Sequence, residues 1–237
     1  MDSHLALDII DIDKWASKLE EVTNAKPFKN GKYSKHGLFC QIIFGPVRSY
    51  CCACKTNNNR GKGNEGKICK DCHVKITSSD KRRTTFAKIK LPFPILNPLF
   101  YFLITNIKTS TKEILNNMLS DKEKYYFDSD GIINILPKNS QAPEGVKVLF
   151  GLNGAIEYIK TVIEERVDDT SNYIRSHFDK ITINNVIVIP PKFRPCNRDG
   201  SGTYVADKIN QIYSQILMRV NLVKGTPVDI NDNYDVY

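Results

Sequence analysis

Tyr50-Cys51-Cys52-Ala53-Cys54 and Ile68-Cys69-Lys70-Asp71-Cys72 hold five of the chain's seven cysteines, with fourteen residues between Cys54 and Cys69. Zinc takes four thiolates in a tetrahedron, each about 2.3 Å from the ion, and two close cysteine pairs on tight turns supply them. The linker Lys55 to Lys67 has no large apolar side chain and contains Gly61, Gly63 and Gly66. It cannot build a core of its own. A structural zinc ion contributes roughly 10–16 kcal/mol of apparent binding free energy in small modules, against about 5–15 kcal/mol for the whole stability of a typical domain. Metal therefore outweighs packing here, and two-plus-two spacing across a Gly-rich loop predicts a zinc site rather than four unpaired thiols. Spacing alone prefers Cys51 with Cys54, a C-x-x-C pair, as the first half of the site. His73 reads as a turn residue, and Cys40 and Cys196 as small packed side chains.

The rest of the 237 residues bounds the setting. Hydrophobic residues make up 41% and charged residues 25%, an ordinary globular composition with room for one large domain or two small ones. Lys and Arg number 34 against 26 Asp and Glu, a formal charge of +8, which biases the chain toward polyanions. The most apolar stretch, Leu91 to Ile107, is broken by Pro92, Pro94 and Pro98, whereas a membrane span needs about 20 uninterrupted apolar residues. The N-terminus MDSHLALDII has no basic n-region and no cleavage site. A cytoplasmic setting is the default, and there clustered cysteines are metal ligands more often than disulfides.

Outward from the cysteines the elements read as follows. Ile12, Trp15, Ala16 and Leu19 give residues 1–24 a helical start, and Lys26 to Gly37 reads as a loop. Leu38 to Phe44 reads as a short strand stopped by Gly45-Pro46, and Arg82 to Leu91 as another, interrupted by Pro92 to Pro98. Thr111 is placed as an N-cap ahead of Ile114, Leu115, Met118 and Leu119. Residues 124–150 read as short strands and turns. Asn153 to Phe178 reads as a helical region striped by Ile156, Ile159, Ile163 and Val167, and Val186 to Ile189 as a buried strand. Pro190 to Gly202 is a loop. Asp207 to Val220 is a helix with Ile209, Ile212, Tyr213, Ile216 and Leu217 on one side, ended by Gly225 and Pro227 and followed by a frayed tail, NDNYDVY.

Positive charge gathers in two places. Arg48, Lys55, Arg60, Lys62, Lys67, Lys70, Lys75, Lys81, Arg82, Arg83, Lys88 and Lys90 face only Glu65, Asp71 and Asp80. The second place is Pro190-Pro191-Lys192-Phe193-Arg194-Pro195-Cys196-Asn197-Arg198-Asp199-Gly200-Ser201-Gly202. Its prolines restrict the backbone and its glycines permit positive φ, so a projecting loop of defined shape is expected. Phe193 could stack on or wedge against a base while Lys192, Arg194 and Arg198 hold phosphates.

Read together, several stretches resemble the N-terminal part of the largest (β′) subunit of bacterial-type multisubunit RNA polymerase. His36-Gly37-Leu38-Phe39-Cys40-Gln41-Ile42-Ile43-Phe44-Gly45-Pro46-Val47-Arg48-Ser49-Tyr50 is similar to the family's DGLFC-x-x-IFGPV-x-x-Y segment before its zinc ribbon. Cys52-Ala53-Cys54 and Ile68-Cys69-Lys70-Asp71-Cys72-His73-Val74 resemble its C-x-C and IC-x-x-CGV knuckles, so the resemblance prefers Cys52, Cys54, Cys69 and Cys72 as ligands. Arg82-Arg83 with Ile89-Lys90-Leu91 resembles RRERMGHIEL. Ile189-Pro190-Pro191-Lys192-Phe193-Arg194-Pro195 with Asp199-Gly200 and Gly202 is similar to the lid, LPPDLRP…LDGG. Asp207-Lys208-Ile209-Asn210-Gln211-Ile212-Tyr213 resembles SDLNDLYRR, and Ile12 to Val22 around Trp15 the opening IRSWS-x-GEV. The order matches from about Trp15 to Val220. Departures are Lys88 for the His before IEL, His73 for the Gly after the last knuckle, Lys192 for the acid in the lid, and Asn197-Arg198 for apolar residues.

The resemblance implies an α+β chain, an irregular mixed polymerase-clamp segment with a zinc ribbon, short strands and several helices. It divides into an N-terminal helix and zipper-like loop (1–47, the loop near Asn24 to His36), a zinc ribbon (48–78), a clamp-base mixed region (79–189), a lid-like loop (190–204) and a helix with tail (205–237). It implies nucleic-acid contacts at Lys81, Arg82, Arg83, Lys192, Phe193, Arg194 and Arg198. The family's clamp coiled coil, rudder and NADFDGD magnesium loop have no counterpart, and Asp229, Asp232 and Asp235 do not form that pattern. Two-metal phosphoryl transfer is therefore expected elsewhere, with zinc structural here and magnesium held by another chain. Expected partners are β-type subunit fragments, the remaining β′-type fragment, a promoter-specificity factor, template DNA and the RNA transcript, with no membrane. Either the subunit is naturally divided or this sequence is a truncated piece of it; a divided subunit resembles those of giant bacteriophages, in which case the setting is the host cytoplasm. The competing readings are a free-standing zinc-ribbon DNA-binding regulator and an inactive polymerase mimic.

Overall fold

The structure, a computed structural model, describes residues 10–29, 31–54, 60–107, 109–137, 140–164, 166–198 and 204–225. In chain order its elements are α1 (Ile12–Ala16), β1 (Phe28–Lys29), β2 (Lys32–Tyr33), α2 (Gln41–Phe44), α3 (Lys81–Thr84), β3 (Ala87–Leu96), α4 (Pro98–Thr105), α5 (Thr109–Leu119), β4 (Lys124–Phe127), β5 (Ile133–Leu136), α6 (Gly151–Glu164), α7 (Asp169–Ser176), β6 (Thr182–Val188), β7 (Cys196–Arg198), β8 (Tyr204–Ala206) and α8 (Lys208–Val223). Helices and short two-stranded sheets alternate, as the α+β reading expects. Three of the sheets are antiparallel hairpins, and the fourth pairs β3 with β6. No helix among the described residues is long and apolar enough to cross a membrane.

The chain divides into two compact units, residues 1–10 with 94–183 and residues 11–93 with 184–237. The first is built around α4 to α7 and the β4–β5 hairpin. Asn97 caps α4 by accepting from the Leu99 N–H, and Pro98 occupies the first turn, where a missing N–H costs nothing. Phe100 and Ile104 then point inward one turn apart. On α6, Ala155, Ile159 and Ile163 recur at helical spacing and are buried, with Tyr158 beside them. Gly154 lets that helix close on Leu149, since a Cβ there would lie 2.7 Å from the Leu149 carbonyl carbon.

The second unit gathers Val22, Leu38, Phe39, Phe44, Ala87, Ile89, Val188, Tyr213 and Leu217 into one core. Asp13 ties α1 to β6 by accepting from the Asn184 backbone and from both the Asn184 and Asn185 amides at 2.9–3.1 Å. Those bonds outweigh the effect of burial and hold its carboxyl below the usual range. Asp207 caps α8, which buries Asn210, Tyr213, Ser214, Leu217 and Val220 along one face.

Several local expectations change. Leu38 to Phe44 is not a strand: Gln41–Phe44 is a helical turn and Leu38, Phe39, Ile43 and Phe44 are all buried. A short run that is apolar but for Gln41 carries no clear period, so sequence cannot separate the two forms. The first helix ends at Ala16, and Lys26 to Gly37 contains the β1–β2 hairpin. Strand β3 passes through Pro92 and Pro94, which sit in its more exposed half, where a missing donor deprives few partners. Thr111 lies inside α5 and is buried, with its hydroxyl near Tyr158. The long helical region is two helices, because Asp168 caps a new one through the Ser171 N–H; Val167 is 94% exposed. The expected start at residues 1–9, Lys55, residues 199–203 and the tail lie outside the described residues.

Gly45 ends α2 at φ 90°, ψ 172°, a conformation that L side chains rarely adopt. A Cβ there would also meet the Lys81 Cβ at 3.2 Å. Gly45→Ala is expected to cost about 1–3 kcal/mol in urea unfolding. Gly63→Ala, at ordinary φ with open space around it, should stay within about 0.5 kcal/mol.

Candidate metal centre and nucleic-acid face

The cysteine segment has almost no apolar interior. Among its described residues from 48 to 77, only Cys69, Val74 and Ile76 are buried. A neck closes it: the Tyr50 N–H donates to the Thr77 carbonyl at 2.9 Å, and Ser49 Oγ accepts from the Ser79 N–H at 3.0 Å. Further out, the Gly66 N–H donates to the Ile76 carbonyl and the Ile76 N–H to the Lys67 carbonyl, each at 2.8 Å. Within the second cysteine pair, the His73 N–H donates to the Cys69 carbonyl and the Cys69 N–H to the Val74 carbonyl. His73 takes φ 57°, the left-handed conformation in which Gly is freest and His is enriched among other residues.

This folding brings the sulfurs of Cys52, Cys54, Cys69 and Cys72 within 4.8 Å of one another. Cys52 Sγ lies 3.2 Å from Cys54 Sγ, which lies 3.4 Å from Cys69 Sγ. A zinc tetrahedron with bonds of about 2.3 Å has sulfur–sulfur edges of about 3.8 Å, within that spread. Cys51 is outside the group. Burial and the neighbouring sulfurs push the Cys52 thiol up to about 12. Backbone N–H groups of Cys72 and Asp71 draw Cys69 below its ordinary value. Four sulfurs this close repel as thiolates unless a cation lies among them, and a bound divalent ion deprotonates them outright. The donor set therefore fits a metal ion, and an all-sulfur tetrahedron suits zinc.

A cavity of about 430 Å³ adjoins the cluster. Phe28, Tyr33, Lys32 and Lys35 line one side, and Cys54 and Cys72 the other. Sequence reasoning passed over these hairpin residues, although aromatic and basic side chains interleave in Phe28-Lys29-Asn30-Gly31-Lys32-Tyr33.

The residues expected to meet nucleic acid part into two groups. Lys81, Arg83, Lys192 and Phe193 are exposed, and α3 packs against the Pro191–Phe193 turn, so the two basic places adjoin. Arg83 also pairs loosely with Asp80 at 3.6 Å. Arg82 and Arg194 instead turn inward. Arg82 donates to the Gly45 carbonyl at 2.9 Å and the Phe39 carbonyl at 3.4 Å. Arg194 is fully buried and donates to the carbonyls of Ile189 and Leu38 and, at 3.0 Å, to Asn210 Oδ1. Its guanidinium faces the rings of Phe39, Phe44 and Tyr213 at 5.0–5.8 Å. Burial lowers its pKa to about 10, and Arg82 pushes the same way, yet it stays cationic at neutral pH. The place of these two side chains is packing, which a list of basic residues cannot reveal. Arg198 lies in β7, with its side chain outside the described features.

No protein-family model matches the chain. Similar proteins do exist. The DNA-directed RNA polymerase subunit beta′ of Aquifex aeolicus is 37% identical over 120 residues, half of this chain and 7% of the relative. That of Fusobacterium nucleatum is 26% identical over 233 residues, covering 80% of this chain and 17% of the relative. That of Chlamydia pneumoniae is 25% identical over 265 residues, covering 93% and 19%. The chain thus spans less than a fifth of the length of these relatives. With the similarity running along most of its length, the chain is a homologue of the bacterial RNA polymerase β′ subunit.

Proposed function

We propose that this chain acts as an N-terminal portion of a β′-type subunit in a DNA-directed RNA polymerase. It contributes a zinc-stabilised ribbon (48–78) and a lid-like loop (190–204), with an N-terminal helix and zipper-like loop (1–47), a clamp base (79–189) and a following helix and tail (205–237). The observation that carries the reading is the convergence of Cys52, Cys54, Cys69 and Cys72 in a chain homologous to that subunit. Zinc, when bound, supplies cross-linking of the ribbon and no reaction step. The sequence has no clustered aspartate motif for catalytic magnesium, so bond formation belongs to residues outside it.

The nucleic-acid face comprises Lys81, Arg83, Lys192 and Phe193. Cations hold phosphates and the exposed Phe193 ring offers a surface for a base. Exposed Leu99 and Phe102 on α4 support packing against β-type and remaining β′-type polypeptides. The setting follows as the cytoplasm, or a host's cytoplasm for a phage-encoded enzyme. In a reconstituted polymerase, deleting residues 192–202 is expected to lengthen the RNA–DNA hybrid while promoter-independent synthesis persists. Unchanged hybrid length removes the lid role.

A further inference from the structure

Arg82 and Arg194 approach the same short segment from different parts of the chain. Arg82 donates to the Phe39 carbonyl and Arg194 to that of Leu38, so two consecutive carbonyls are gripped by two cations. Each arginine has a second hold. Arg82 reaches the Gly45 carbonyl, at the end of the turn that leads toward the cysteines. Arg194 reaches Ile189 and Asn210, the residues that precede and follow the β7–β8 hairpin. Asn210 returns the grip, its amide donating to the carbonyls of Arg194 and Pro195 at 3.0 and 3.4 Å. Among the described residues no carboxylate pairs with either arginine.

Burying a cation without a counter-ion is costly, and carbonyl oxygens and ring faces offset that cost only in part. An apolar side chain of the same volume would fill the space without it. What it could not do is fix three chain segments at once. The rigid guanidinium fork presents several donors in fixed directions, whereas an ammonium is a compact point charge without that fork.

We propose that Arg194 is a positioning residue, which together with Arg82 locks the base of the 196–206 hairpin to the segment entering the cysteine ribbon. The inference concerns the loop read above as a lid and rests on that reading for its functional meaning. The lock itself is read without polymerase activity, so the two can fail separately.

The test is hydrogen–deuterium exchange on the full chain, zinc-loaded, for wild type, Arg194→Met and Arg194→Lys. In both variants, amides in 189–198 and 204–210 are expected to exchange at least about tenfold faster. Amides in 151–164 and the zinc content should be unchanged. Wild-type protection in Arg194→Lys would overturn the proposal, because charge alone would then suffice. Uniform acceleration across 11–93 would also overturn it, because the residue would then be ordinary core. Should Arg194→Met fail to fold, Asn210→Ala removes one acceptor and the returned grip and is expected to give the same local pattern; normal protection there counts against the lock. Unchanged hybrid length on deleting 192–202 would retire the lid reading and leave this result standing.

Discussion

Cys69→Ser is expected to abolish metal binding and to unfold the segment from 48 to 78, while Cys51→Ser retains one equivalent of metal. Cys69 is the buried member of the four-sulfur group and receives backbone N–H groups from Asp71 and Cys72. Serine at that position offers a weaker ligand on a shorter bond. Among the described residues of this segment only Val74 and Ile76 are buried beside it, and two aliphatic side chains contribute roughly 3–6 kcal/mol. Structural zinc supplies roughly 10–16 kcal/mol in comparable modules, so nothing else in the segment can replace it. Metal content by mass spectrometry and thiolate bands in cobalt-substituted protein give the readout. A full equivalent in Cys69→Ser, or its loss in Cys51→Ser, overturns the ligand assignment. So does a chain whose cysteine segment is indifferent to chelator.

The convergence of the four sulfurs is legible in the sequence because metal coordination depends on a few residues at short range. Two cysteine pairs across a linker with no apolar side chains admit few alternatives. The choice between Cys51 and Cys52 was not legible from spacing, since it depends on which way the Tyr50–Cys54 backbone turns; Tyr50 itself takes φ 56°. Helices with a clear stripe and a capping residue, such as α8 behind Asp207, also read well. Elements without a period did not. The Leu38 to Phe44 run is mostly buried, and the carbonyls that lead into its helical turn, Phe39 and Leu38, accept from Arg82 and Arg194, 43 and 156 residues away. Those long-range bonds likewise explain why two of the seven residues expected on nucleic acid lie inside the protein. The Asn30-Gly31 pair carried the hairpin signal that composition had reduced to a loop.

Phe100→Ala is expected to cost about 3–5 kcal/mol, the range for truncating a fully buried aromatic ring, whereas Phe102→Ala should stay within about 0.5 kcal/mol. Both residues belong to the apolar stretch from Leu91 to Ile107, and sequence alone gives no reason to separate them. The separation comes from helix phase. Asn97 and Pro98 fix where α4 begins, so Phe100 and Ile104 fall on one face and Phe102 on the opposite one. Phe100 is fully buried with Leu115, Met118 and Ile159 in one core cluster, while Phe102 is 62% exposed. Interiors are close-packed, so removing the Phe100 ring loses its transfer free energy and leaves a cavity that its neighbours refill only in part. Urea unfolding followed by far-UV circular dichroism measures both variants, because most of the helix content near this cluster unfolds with it. Equal effects at the two positions would mean that the stretch is not a helix in this phase, and the strand that ends at Leu96 would then have to continue through it.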